Sequence, residues 1–180
     1  LLQFSKVSTK AGRSEGFFLR SENVLDPSIL PEAITFDLVP HGEFGFRATN
    51  GTVAEEGGVV QLQRGGFYAV YRTVSGFLNV AASSDGIAWQ DALFAYYDRA
   101  DYGGNMYEQR IKQPRGPITP RRFSNHHYLL TVHMNSNVPG WVNRDPYFLV
   151  AGKEINGTIY WSQPELMLYI IPPCADKRCG

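Results

Sequence analysis

The chain has 180 residues, and its 17 Lys and Arg balance 17 Asp and Glu, so the formal net charge is zero. Binding nucleic acid through bulk electrostatics needs a clear basic excess, so that class is excluded and only a local basic site stays compatible. Hydrophobic residues make up 43%, enough to build a core, and no apolar run nears the roughly 18–20 residues of a membrane helix. Neither a nucleic-acid partner nor a membrane span is expected in this segment.

The aromatic content (10 Tyr, 11 Phe, 3 Trp) and the turn-formers (18 Gly, 11 Pro) favour many short strands over helices. No stripe of helical period persists over three turns. Apolar or aromatic runs ended by Gly, Pro, Asn or Asp predict strands at residues 34–39, 59–62, 67–73, 77–82, 93–97, 128–133, 147–151, 158–161 and 166–171. Arg64-Gly65-Gly66 separates two of these runs and Val74-Ser75-Gly76 the next two. Connections that short make the strands antiparallel neighbours. The fold class is all-β, and a sandwich, a barrel and a propeller each accommodate the pattern.

The segment from Val59 to Trp89 narrows this choice. Three strands in a meander end in an Asp-Gly turn and a tryptophan, which looks like most of one propeller blade. A looser unit of the same kind spans Arg122–His133, Tyr147–Ala151 and Thr158–Leu168, with Trp161-Ser162-Gln163-Pro164-Glu165 as its outgoing strand. At roughly 40–50 residues per blade the chain holds about four. It opens on Leu1 without a signal-peptide pattern, so an internal piece of a larger ring is expected over a closed four-bladed one.

Other motifs have plain explanations. The glycine pairs at 57–58, 65–66 and 103–104 are turn chemistry, since a phosphate loop also needs a Lys-Ser/Thr and a following helix. His126, His127 and His133 have no Asp, Glu or Cys at ligand spacing, so no metal and no cofactor is expected. Cys174 and Cys179 are compatible with a small disulfide loop and equally with two free thiols. Asn50-Gly51-Thr52 and Asn156-Gly157-Thr158 are glycosylation sequons that favour a secreted protein, and Asn-Gly is also the commonest hairpin turn.

Ser83-Ser84-Asp85-Gly86-Ile87-Ala88-Trp89 resembles the Asp-box turn of sialidases, Ser-x-Asp-x-Gly-x-x-Trp, one residue shorter. It follows Val53-Ala54-Glu55-Glu56-Gly57-Gly58-Val59-Val60-Gln61-Leu62 and Tyr71-Arg72-Thr73, an order similar to the sialidase segment that carries the catalytic Glu and a substrate-binding Arg. Arg72 lies sixteen residues after Glu56, a spacing sialidases commonly have. Gln113-Pro114-Arg115-Gly116-Pro117, Asn143-Arg144-Asp145-Pro146-Tyr147, Gly152-Lys153-Glu154 and Trp161–Tyr169 look like the sialidase-like BNR-repeat proteins. The resemblance covers about residues 37–170 of a single partial domain spanning 1–180. It implies a six-bladed propeller in the complete protein and an exo-α-sialidase activity, with a sialylated glycan or another carbohydrate as partner.

The chemistry explains why such residues are needed. Sialic acid carries a carboxylate on its anomeric carbon, which guanidinium groups bind bidentately and which repels an Asp or Glu nucleophile. Sialidases use a tyrosine instead, and a phenol of pKa near 10 needs a base beside it. The resemblance makes Glu56 that base and makes Arg72 and Arg144 two of three carboxylate-binding arginines. Arg115, held in a rigid Pro-Arg-Gly-Pro turn, is a further candidate, although a plain loop arginine fits it equally well. Residues 1–50 hold no match for the family's first arginine or its acid/base Asp. The nucleophilic Tyr belongs beyond the Trp161–Glu165 strand, and Tyr169 sits within it. The segment alone is therefore expected to be inactive. Two other readings compete: a non-catalytic glycan-binding or scaffold propeller, and a carboxylate-based glycosidase or lyase in which Glu56, Glu154 or Asp145 converge.

Overall fold

The computed structural model describes residues 2–8, 13–41, 45–47, 54–73, 76–90, 93–96, 110–111, 118, 120–123, 125–133 and 147–168. Three antiparallel sheets account for nearly all of its regular structure. β1 (Leu2–Ser8), β2 (Arg13–Arg20) and β3 (Asp37–Val39) pair in that order. β4 (Ala54–Gln61), β5 (Phe67–Thr73), β6 (Leu78–Ser83) and β7 (Leu93–Phe94) form a four-stranded meander. In the third sheet β8 (Arg121–Arg122), β9 (His127–His133) and β10 (Tyr147–Ile155) pair in turn, and β11 (Thr158–Trp161) and β12 (Glu165–Leu168) both pair with β10. The only helical element among the described residues is a single 3-10 turn at Pro31–Ala33, and no helix there is long and apolar enough to cross a membrane.

The chain is all-β, as its composition predicts. β5 coincides with the expected strand 67–73, because an apolar, β-branched and aromatic run lies between glycine-bearing turns. The Arg64-Gly65-Gly66 connection closes a hairpin in which Gly65 N–H bonds the Leu62 carbonyl (3.2 Å) and Leu62 N–H the Gly66 carbonyl (3.0 Å). Gly65 and Gly66 take φ of 95° and 83°, a region that side-chain-bearing residues avoid. Asn156-Gly157 turns β10 into β11 with φ of 53° and 79°, so the second sequon forms a hairpin turn.

β11 and β12 are one outgoing strand with a break. Ser162 N–H bonds the Ala151 carbonyl (2.7 Å), and Ser162 Oγ accepts from the Ala151 N–H (3.0 Å), filling the ladder where Gln163 and Pro164 leave it. Proline has no N–H to donate, so the strand kinks there and resumes at Glu165. The third sheet is thus also a four-stranded meander in outline.

The central sheet is buried on both faces. Tyr68, Val70 and Leu78 point into a core shared with Tyr128, Leu130, Val150 and Trp161 of the third sheet. Ala69, Tyr71 and Ala81, one residue out of phase, point into a second core with Phe18, Val39 and Phe46 from the first sheet's side. This two-sided burial explains why β5 reads as a nearly continuous apolar run rather than an alternating one.

β4 and β8 run side by side in the same direction. A Cβ on Gly58 would stand 2.5 Å from the Pro120 ring and 2.9 Å from the Ile118 carbonyl, and further along Arg122 Nη1 donates to the Gln61 carbonyl (3.2 Å). Gly58 is therefore required by close approach of backbone. Gly58→Ala is expected to cost roughly 1–3 kcal/mol of stability through overpacking, read as a lower denaturation midpoint with an unchanged slope.

The structure departs from several expected boundaries. β1 and β2 lie outside every expected strand, because polar residues interrupt β1 and the apolar part of β2 is only three residues long. β4 begins at Ala54, five residues before the predicted start, since Glu55-Glu56-Gly57-Gly58 belongs to the strand. The run expected at 34–39 contributes three residues to β3. Of the four units expected, the described residues form three sheets. Cys174 and Cys179 lie outside the described residues.

Candidate functional site

Glu56 and Arg72 meet. They are direct cross-strand partners on β4 and β5, and Arg72 Nε donates to Glu56 Oε2 at 2.7 Å. Glu55 is the extra residue of a bulge, since Ala54 pairs with Thr73 and Glu56 with Arg72. A bulge sets two residues of one strand against one of the other. Here it brings Glu55 to the same guanidinium, Oε2 at 2.5 Å from Nη1. Arg72 keeps 14% of its side-chain exposure, and the two carboxylates keep 29% and 34%. The cluster is half-buried, and the formal charges of these three side chains sum to −1. Sequence spacing brings out the Glu56–Arg72 pair. It does not bring out Glu55, because a bulge is a property of register and not of residue type.

Arg115 and Arg144 lie outside the described residues, as do Asp145 and Tyr169. Glu154 is described and stands elsewhere. Its Oε2 accepts from the Tyr128 hydroxyl (2.5 Å) and the Gln63 N–H (2.8 Å), and its Oε1 from the Arg64 N–H (3.3 Å). Burial raises the Glu154 pKa, but these three donors outweigh it and hold the carboxyl below its usual value. Burial, and then the carboxylate itself, push the Tyr128 phenol up to about 12. Gln63 and Arg64 occupy the turn at the far end of β4 from Glu56, roughly 20 Å away at the rise of an extended strand. Glu154 and Glu56 therefore do not converge, which removes the carboxylate-pair reading for these two residues. Glu154 is a structural acceptor that fastens the β4–β5 turn to the third sheet.

The Asp-box-like turn closes on its own side chains. Asp85 Oδ1 accepts from the Ile87 and Ala88 N–H groups (2.8 and 2.9 Å), and Ser83 Oγ accepts from the Gly86 N–H (2.8 Å). Gly86 has φ of 77°, and Gln90 N–H returns to the Ala82 carbonyl (2.8 Å). The Trp89 ring then packs on Phe18, with centroids 5.7 Å apart, and edge-on to Phe46 at 5.1 Å. The backbone donors of Ile87 and Ala88 hold the Asp85 pKa below its usual value. A depressed folded pKa means that this carboxylate's contribution is present above the ordinary Asp pKa and is lost as pH falls through the folded value. Asp85→Ala is expected to lower the melting temperature at neutral pH and to speed proteolytic cleavage within 84–88, while at strongly acidic pH mutant and parent converge.

His133 is buried against the Tyr147 ring, and among the described residues no three His, Cys, Asp or Glu side chains gather in a way that would hold a metal ion. With this geometry in view, comparison with known proteins finds no protein-family model that matches the chain and no curated protein that matches it in sequence.

Proposed function

We propose that the chain is part of a sialidase-type propeller whose complete site binds terminal sialic acid on glycans and hydrolyses its glycosidic bond. The observation that carries this reading is the in-register pairing of Glu56 with Arg72 at the end of a doubly buried sheet. The fold reading is supported by the two four-stranded meanders, by the parallel course of β4 and β8, and by the Asp85-capped turn that seats Trp89 in an inter-sheet core.

In this reading Arg72 binds the sugar carboxylate, Glu56 orients the guanidinium through Nε, and Glu55 stands at Nη1 in place of the ligand. A ligand carboxylate that takes this place displaces Glu55 from Nη1. Arg144 and Arg115 are proposed as further carboxylate ligands. The base role of Glu56 needs a phenol, which the resemblance places after β12. The experiment is turnover of an aryl sialoside by the polypeptide containing this chain. Release of free sialic acid supports the proposal, and its absence under conditions where the sugar still binds favours a non-catalytic glycan-binding propeller.

That second reading has its own observation. Among the described residues the hydrogen-bond partner of Glu56 is Arg72, and the neighbouring Tyr71 turns its phenol into the opposite core. Glu55→Gln bears on the ligand place directly. Removing the competing charge is expected to tighten sialic acid binding about three- to tenfold, a shift of roughly 1 kcal/mol, measured by calorimetric titration.

A further inference from the structure

We infer that the outward face of the third sheet, near its β10–β11 hairpin, binds an acidic polysaccharide, with Phe123 and Tyr160 against sugar rings and Arg121 and Lys153 on carboxylates between them. Register builds this face, because antiparallel partners point their side chains to the same side. His127 pairs with Lys153 and Lys153 with Tyr160, and the Phe123 N–H bonds the His127 carbonyl (2.8 Å), so these four side chains form one row. The next row is Arg121, Leu129 and Ala151. The alternate residues Tyr128, Leu130 and Val150 point the other way, into the core shared with the central sheet. The face belongs to other strands than the Glu56–Arg72 cluster and does not rest on the sialidase reading.

Three observations define the ligand. First, Phe123 and Tyr160 keep 53% and 58% of their exposure at the two ends of the row, roughly 14 Å apart at the spacing of four strands. Exposed rings so placed suit the C–H faces of successive sugars. Second, the charge is uncompensated. Arg121 and Lys153 are exposed and make no ion pair among the described residues. Neither row holds a carboxylate, and on this face Glu165 stands one row further on, opposite Leu149. An anionic ligand complements the two cations. Third, the charge is sparse. Arg121 and Lys153 lie two strands across and two residues along from each other, about 12 Å between Cα atoms. A polysaccharide with a carboxylate on alternate sugars matches that spacing, whereas a nucleic acid carries a phosphate on every nucleotide and gains from many more cations. Further from the hairpin the face is half-buried at Thr131 and Leu149, which confines the site to these two rows.

The test is a titration of the full chain with a hexasaccharide of alternating glucuronate and N-acetylglucosamine, followed through the backbone amide resonances. The expected result is a set of saturable shifts confined to residues 121–123, 127–129, 151–153 and 158–161. Arg121→Gln and Lys153→Gln together should weaken binding about tenfold or more, because both charge-assisted contacts go. Both side chains are exposed, so the melting temperature of this variant should match the parent's. A hexasaccharide of N-acetylglucosamine alone, which has no carboxylate, should bind as weakly to the parent as the acidic one does to the double variant. The inference is overturned if no saturable shift appears, or if the double variant binds the acidic sugar as the parent does. Tighter binding of oligothymidylate than of the acidic hexasaccharide also overturns it, since the face would then be a nucleic-acid platform.

Discussion

Glu154→Ala is expected to lower stability by roughly 3–4 kcal/mol. The carboxylate is 6% exposed and accepts three hydrogen bonds, two of them from a hairpin turn some ninety residues earlier in the chain. Its removal orphans the fully buried Tyr128 hydroxyl and two turn amides at once. For a chain of this length such a loss corresponds to a fall in Tm of roughly 6–16 °C. The double variant Glu154→Ala/Tyr128→Phe should recover part of the loss, because the orphaned hydroxyl goes with the tyrosine. The pH dependence has a definite sign. The folded-state pKa of Glu154 lies below the ordinary 4.5, so its stabilisation is fully present above that value and disappears as pH falls through the folded pKa. Parent and Glu154→Ala should therefore differ most at neutral pH and approach each other in acid. An unchanged difference down to pH values well below 4.5 would contradict the assignment.

Arg72→Ala is expected to abolish productive sialoside recognition, with a loss of about 100-fold or more in kcat/KM for the polypeptide containing this chain. One charge-assisted bidentate contact is worth about 3 kcal/mol when it is desolvated. Stability should fall as well, by roughly 1–2 kcal/mol, because Glu55 and Glu56 are left adjacent and half-buried without their shared cation. Arg72→Lys separates the two effects. An ammonium restores the charge and much of the stability, but it cannot reproduce the planar fork that engages two carboxylates through Nε and Nη1, so recognition stays impaired.

The fold was most legible where local and tertiary demands agree. β5 lies between glycine turns and is apolar throughout, and both its faces are buried, so its composition and its environment point the same way. β1 and β2 were illegible to a search for apolar runs. In β2 the apolar stretch is only Phe17-Phe18-Leu19, and the buried Glu15 and Gly16 before it break the run although they belong to the same strand. Glu55-Glu56-Gly57-Gly58 carries turn-like residues, yet it is strand, because Gly58 lies under Pro120 from a neighbouring sheet. That contact is set by a residue sixty positions away and has no local trace.

The site followed the same division. Glu56 and Arg72 were legible because a hairpin converts their spacing into direct register. Glu55 was not, since one inserted residue decides which side chains share a face. Glu154 stood out as a carboxylate beside strand residues, and only the distant Leu62–Gly66 turn reveals that its role is structural.

The proposed role of Arg72 is tested most directly by comparing the binding of sialic acid with that of its methyl ester, in the parent polypeptide and in Arg72→Ala. If Arg72 grips the sugar carboxylate, the parent binds the acid at least tenfold more tightly than the ester, and Arg72→Ala binds the two alike. Equal affinity of the parent for acid and ester, or discrimination that survives in Arg72→Ala, would contradict it.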